Sequence, residues 1–227
     1  MQRTDQRTPS IAGISDAVGS AVGAGFGALA RLRAAKSIHP RGAVIGALLE
    51  RLEHRRTGVD WVDRTEPVQV VVRISRSLGL PAPLPDVLGM AIRAPLDPDG
   101  FGDLLLATGA RQPVARHLFL PYRDPVGATF TSVLPFSTPV GLRMVAALPV
   151  DASTYLLAMS TVQGPWAPFA RLLLESAPAT QPDESIDFDP VAHQLPGLGV
   201  PDALGRLRRP SYLASRAGRR HPWPPRG

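Results

Sequence analysis

The stretch from Glu66 to Ala110, EPVQVVVRISRSLGLPAPLPDVLGMAIRAPLDPDGFGDLLLATGA, decides how the rest of the chain is read. It divides into three extended segments separated by Pro, Gly and Asp turns. Alternation from Val68 puts Val68, Val70, Val72 and Ile74 on one face and Gln69, Val71, Arg73 and Ser75 on the other. An arginine on a strand this apolar needs a reason. Either it reaches solvent or a salt bridge at a strand end, or it lines a cavity and meets an anion there.

Working outward, residues 117–127 form a short apolar piece ending in a turn. Then TFTSVLPF (129–136), GLRMVAALP (141–149), STYLLAMSTV (153–162) and PFARLLLES (168–176) read as successive strands at regular spacing. Upstream, SIHPRGAVIGALLERLEHRR (37–56) admits two readings. Good helix formers fill Ala47–Arg55, whereas Gly42, Gly46 and the apolar residues around them suit a long twisted strand. Taken as a strand over 43–54, this segment joins 68–75, 88–94, 103–108 and the four later runs. The total is eight strands, and the expectation is a β-rich protein built on an antiparallel barrel or sandwich.

Residues 11–36 are rich in small side chains, with Gly19, Gly23 and Gly27 four apart, and read as an N-terminal helix packed against the domain. Residues 177–190 read as a linker whose acids form a solvated loop. Ala203–Arg209 and Tyr212–Arg219 read as a helix broken at Pro210. The expected division is a tail and helix over 1–36, a barrel domain with its C-terminal helix over 37–220, and a tail over 221–227.

The formal charge is +6, but seven arginines and no acid lie in 204–227, which leaves 18 basic against 19 acidic residues elsewhere. No aromatic interleaving accompanies those arginines, so nucleic acid is not an expected partner. The chain has no cysteine, so thiolate nucleophiles, thiolate metal sites and disulfides are excluded. No nucleotide-binding or nucleophile-elbow motif occurs, and the remaining histidines lack metal-ligand spacing. The longest apolar run, Ala17–Ala30, has 14 residues, short of the roughly 18 to 20 a spanning helix needs. A soluble, cytoplasmic protein without a transmembrane helix is expected.

Three separated stretches resemble one family. SIHPRG resembles the segment of haem catalases in which a distal histidine precedes a basic residue and a glycine. VVRISRSLG, followed by PDVLGMAIR and GDLLLATG, resembles the catalase run V-R-F-S, D-x-R-G-F-A-V-K and D-L-V-G-N-N. LGRLRRPSY resembles the proximal segment, where an arginine four residues ahead of a tyrosine accompanies the haem ligand. The resemblance covers about residues 35–220 and implies a minimal catalase-like barrel flanked by an N-terminal helix and a C-terminal helical segment.

It also implies a haem cofactor and a peroxide substrate. His39 would move a proton between the oxygens of a bound peroxide, and Ser75 would hold its ring. Arg73 would pair with a haem propionate or shape the distal wall. Tyr212 would be the axial ligand of the haem iron, with Arg208 one helical turn away favouring its phenolate. The family's two asparagines fall on Ala107 and Thr108, and Leu88 stands where the family has an arginine. Loss of the distal amide favours peroxidase-type turnover of hydrogen or organic peroxides over dismutation. The alternative is a catalase-derived barrel without haem that binds a small ligand or a partner, with Tyr212 as a helix anchor. A homo-oligomer is compatible with both.

Overall fold

The computed structural model describes residues 41–53, 56–96, 100–176 and 186–199. Ten strands follow in chain order: β1 (Arg41–Arg51), β2 (Val68–Arg76), β3 (Asp86–Leu96), β4 (Gly100–Thr108), β5 (Pro121–Tyr122), β6 (Phe130–Thr131), β7 (Phe136–Thr138), β8 (Gly141–Pro149), β9 (Thr154–Thr161) and β10 (Ala167–Leu174). Hydrogen bonds link them in the order β2-β1-β10-β9-β8-β6-β4-β3, and pairing of β2 with β3 closes the ring. The result is a closed antiparallel barrel of eight strands, with β5 appended to β3 and β7 to β8. The ring is narrowest at β6, where two residues pair with Ala107 and Thr108 of β4 and with Ala146 and Ala147 of β8.

The ambiguous segment at 37–56 is a strand over 41–51. Its burial alternates strictly from Gly42 to Glu50, with Ala43, Ile45, Ala47 and Leu49 inside. Helix propensity at Ala47–Arg55 yields because β1 bonds to two neighbours, pairing Ile45 with Val72 and Leu49 with Leu172. On β2 the expected alternation of direction holds, since Val70, Val72 and Ile74 join the core while Gln69, Val71, Arg73 and Ser75 face outward, although Val71 and Ser75 are buried on that face too. The single run read at 129–136 divides instead into β6 and β7. Between them Val133 takes a φ of 59°, a left-handed conformation that no continuous strand can hold.

The barrel is filled. Leu88, Met90, Ile92, Leu104, Phe130, Tyr155, Leu157 and Phe169 are among the side chains packed into one interior cluster. One end is closed by a plug of Val59, Trp61 and Val62, met by Leu195 and Leu198. Trp61 donates its backbone N–H to Pro196 O at 3.0 Å and sets its ring edge-on to Phe169, centroids 5.8 Å apart. The Asp63 carboxylate shapes the plug's turn by accepting from the N–H groups of Thr57 and Gly58, each at 2.8 Å.

The only helix among the described residues is a 3₁₀ turn at Ala115–His117. The helices expected over 11–36, 203–209 and 212–219 lie outside the described residues. Among the described residues, no helix is long and apolar enough to cross a membrane.

Candidate functional site on the outer barrel face

Strand register places Arg73 and Ser75 on the outer wall of a barrel whose interior is solid. Across β1 to β4, Ser75 stands between Gly42 and Gly89, and Gly89 pairs in turn with Ala107. The next row of the same face runs Val44, Arg73, Ala91, Leu105. Apart from Arg73, these two rows hold nothing larger than leucine, so they form a shallow ledge. At about 4.8 Å between neighbouring strands, four strands span roughly 14 Å.

Arg73 is the sixth of nine residues in β2, so it stands mid-strand and not at a strand end. Its guanidinium lies across Gly42. A Cβ there would sit 2.8 Å from Arg73 Cζ and 2.9 Å from Nη2. Glycine at 42 therefore lets the guanidinium lie flat on the sheet, and Ser75 beside it is buried. His39, Arg208 and Tyr212, the other three residues singled out in the sequence, lie outside the described residues. The structure thus joins Arg73 with Ser75 and leaves the others to the sequence argument.

The two positions that replace the family's asparagines have different fates. Ala107 is on the ledge and offers no polar atom. Thr108 is buried in the wall, where its hydroxyl donates to Leu120 O at 2.6 Å and accepts from Leu88 N at 3.0 Å. That hydroxyl stitches two backbone segments together. Leu88 is equally structural, being 1% exposed inside the barrel core.

One polar cluster escaped the sequence reading. Two residues along from the Arg73 row, Arg93 and Asp103 pair across β3 and β4. Arg93 Nε donates to Asp103 Oδ1 at 2.7 Å and Nη2 to Oδ2 at 2.8 Å, a two-pronged bond with both side chains buried. Nη2 also reaches Asp187 O at 2.6 Å, and Asp189 N donates to Asp103 Oδ2 at 2.7 Å. The guanidinium sits 4.1 Å from the Phe101 ring centre and 4.8 Å from that of Phe188. His193 stacks on Phe101 at 4.2 Å, with Nδ1 3.5 Å from Asp103 Oδ2. The pair therefore fastens residues 187–193 to the outer wall as a strap, through the Asp187 carbonyl and the Asp189 N–H, while Asp187 itself stays exposed as expected of a solvated acid. Arg93 and Asp103 lie ten residues apart on consecutive strands, so pairing β3 with β4 as neighbours would have brought the two together.

A second cluster lies where the short apolar piece begins, at Arg116 just before it and His117 at its first position. Arg116 is buried, bonds Ser160 Oγ at 2.5 Å, Thr161 O at 3.3 Å and Arg111 O at 3.0 Å, and faces the Trp166 ring at 4.3 Å. Burial lowers its pKa from the ordinary arginine value. His117 is also buried, and its Nδ1 lies 2.8 Å from Val133 O. A carbonyl only accepts, so Nδ1 carries the proton.

No family model matches the sequence, and no curated protein matches it. Solved structures do match the barrel. One is described as the structure of a bacterial catalase, with a TM-score of 0.56 and 12% identity, covering 95% of this chain and 62% of the other. At that identity the likeness is one of fold, and the barrel is catalase-like. The chain spans 62% of the length of that catalase.

Proposed function

We propose that this chain binds haem against the ledge on β1 to β4 and uses it in peroxidase-type chemistry on hydrogen or organic peroxides. The observation that carries the reading is the shared placement of Arg73 and Ser75 on a glycine- and alanine-lined outer face of a catalase-like barrel. The residues present fit such a group. Gly89, Ala91 and Ala107 put no large side chain on this face, and Arg73, lying across Gly42, is a fork-shaped partner for a propionate.

Bound haem would supply the redox chemistry at its iron. Tyr212 would give the axial oxygen, with Arg208 keeping that phenol ionised. Ser75 Oγ would hold one nitrogen of the His39 ring, fixing the tautomer so that the other nitrogen handles the peroxide proton. Ala107 cannot donate to the second peroxide oxygen, which supports peroxidase-type turnover over dismutation.

That same loss favours a second reading, a haem-free barrel whose ledge holds a smaller planar carboxylate or a partner, since Thr108 spends its hydroxyl on backbone groups. Titration of the purified protein with haemin separates the two. A Soret band that saturates at one haemin per chain and collapses in Tyr212→Phe is the expected result. Absence of stoichiometric binding rejects haem in favour of the second reading.

A further inference from the structure

The loop between β2 and β3, LGLPAPLP over 78–85, carries no charged or hydroxyl side chain. Its polar groups are those of its backbone, and several of them are bound from beneath. Asp86, 1% exposed, accepts from Leu78 N at 3.0 Å and from Leu80 N at 3.1 Å. Arg76 donates Nε to Leu80 O at 2.6 Å and Nη2 to Leu84 O. Its Nη1 reaches Arg123 O at 3.2 Å, and Arg123 Nη1 returns to Pro83 O at 3.1 Å. The side chains, by contrast, turn outward. Leu78 is 57% and Leu84 48% exposed, and residues 81–85 are exposed without a break. A leucine exposed singly is ordinary on a protein surface, but an unbroken apolar tip on a loop fixed by polar groups below it has the form of a docking surface. Little ordering entropy remains to be lost when such a loop is covered.

Strand register shows which apolar segment lies within reach. Arg41, the first residue of β1, pairs with Arg76, the last of β2, so the chain enters the barrel about 4.8 Å, one strand spacing, from where this loop begins. In the sequence ahead of Arg41, Ala17–Ala30 is the longest apolar run of the chain, 14 residues without a charge. Val18, Val22, Phe26 and Leu29 recur within it three or four residues apart, the spacing that gives a helical segment one apolar face. At about 3.6 Å per extended residue, the link from Ala30 to Arg41 spans up to roughly 40 Å, ample to bring the run over the loop. A short covalent tether holds its cargo at an effective concentration on the order of millimolar, with which any partner from solution must compete.

We propose that the apolar run 17–30 of this chain docks on the 78–85 loop and covers Leu78 and Leu84 at the barrel end where β1 begins. The contact is independent of the haem reading.

The absence of cysteine makes a direct test available in the full chain. Ser20→Cys supplies a sole thiol inside the run for a nitroxide label, and amide spectra of the isotope-labelled protein report which residues lie near it. The amides of Leu78, Leu80 and Leu84 are expected to lose most of their intensity relative to the reduced, diamagnetic label. Those of Val59 and Trp61, in the plug at the opposite end of the barrel, should keep theirs. Leu78→Asp combined with Leu84→Asp puts charge on the loop and is expected to restore the lost intensity. If the double variant does not fold, Leu84→Asp alone, read at the Leu78 and Leu80 amides, serves the same purpose. No loss at these amides overturns the proposal, and so does a loss that the aspartates leave unchanged. Isotope-labelled chain without nitroxide, mixed with nitroxide-bearing chain without isotope, is expected to show no broadening. Broadening of Leu78 and Leu84 in that mixture would overturn the contact within one chain and assign the loop to a second copy.

Discussion

Replacing Asp103 by alanine removes the acid that organises the outer strap, and the structure says what is lost. Arg93, 6% exposed at its side chain, would be left between Phe101 and Phe188 with Nε unpaired and with Nη2 bonded only to Asp187 O. Asp189 N would lose its acceptor as well. Breaking a buried ion pair from one side costs about 3–5 kcal/mol, because the surviving charge stays desolvated. For a chain of 227 residues, at roughly 2–4 °C per kcal/mol, this lowers Tm by about 6–20 °C.

Urea and thermal melts followed by circular dichroism give the loss, and amide hydrogen exchange at Asp189 and His193 locates it in the strap. The double change Arg93→Met with Asp103→Leu should recover most of the stability, since two apolar side chains remove both buried charges. A loss under about 1 kcal/mol in Asp103→Ala would refute the reasoning. So would a double variant no better than the single one, because the penalty would then not come from an abandoned guanidinium.

Gly42→Ala would bring a Cβ within 2.9 Å of Ile74 O and of the Arg73 guanidinium, so the arginine must leave the ledge; haemin affinity is expected to fall at least ~tenfold, with a stability cost of about 1–3 kcal/mol by denaturant melt. Phe169→Ala opens a void beside Trp61 at the plugged end, and equilibrium unfolding should register a loss of about 3–5 kcal/mol. In alkali two groups act in opposite directions. Burial, then Asp124 and Asp151, raise Tyr155 to about 12, and its hydroxyl donates to Pro125 O at 2.9 Å. The native state therefore holds this proton after the unfolded chain has lost it, so the contribution is complete below pH 10 and disappears as pH rises through about 12. Arg51, lowered first by burial and then by Arg64 to about 10, does the reverse, since between about 10 and the ordinary arginine value the unfolded chain binds more protons and stability rises with pH. Melts between pH 9 and 12 should show a flatter alkaline decline in Tyr155→Phe and a steeper one in Arg51→Met than in wild type.

The barrel was legible where side-chain alternation is strict. Val70, Val72 and Ile74 announce β2, and the residues of β3, β4, β8, β9 and β10 follow with end points shifted by a few positions. At β1 the residues Ala47–Arg51 favour helix by propensity, and only the neighbours β2 and β10 decide the matter, which no local reading contains. Val133 broke the run at 129–136 because a β-branched residue with positive φ leaves no mark in composition. The ledge was half legible. Alternation put Arg73 and Ser75 on one face, but the glycines flanking Ser75 come from strand register. The Arg93–Asp103 pair depends on the register between β3 and β4, and the Arg51–Trp61 contact on residues 57–63 returning to β1; side-chain alternation fixes neither, so these charges read only as ordinary polar positions.

The central claim is that the smooth outer face of β1 to β4 receives haem, and it is tested most directly by filling that face. Ala91 lies on the ledge next to Arg73 and outside the packed interior, so Ala91→Trp adds bulk there without touching the core. Haemin titration of both proteins, followed at the Soret band, should give one haemin per chain for wild type and none for Ala91→Trp, with the two chains unfolding at similar urea concentrations. Equal haemin binding by both would contradict the account.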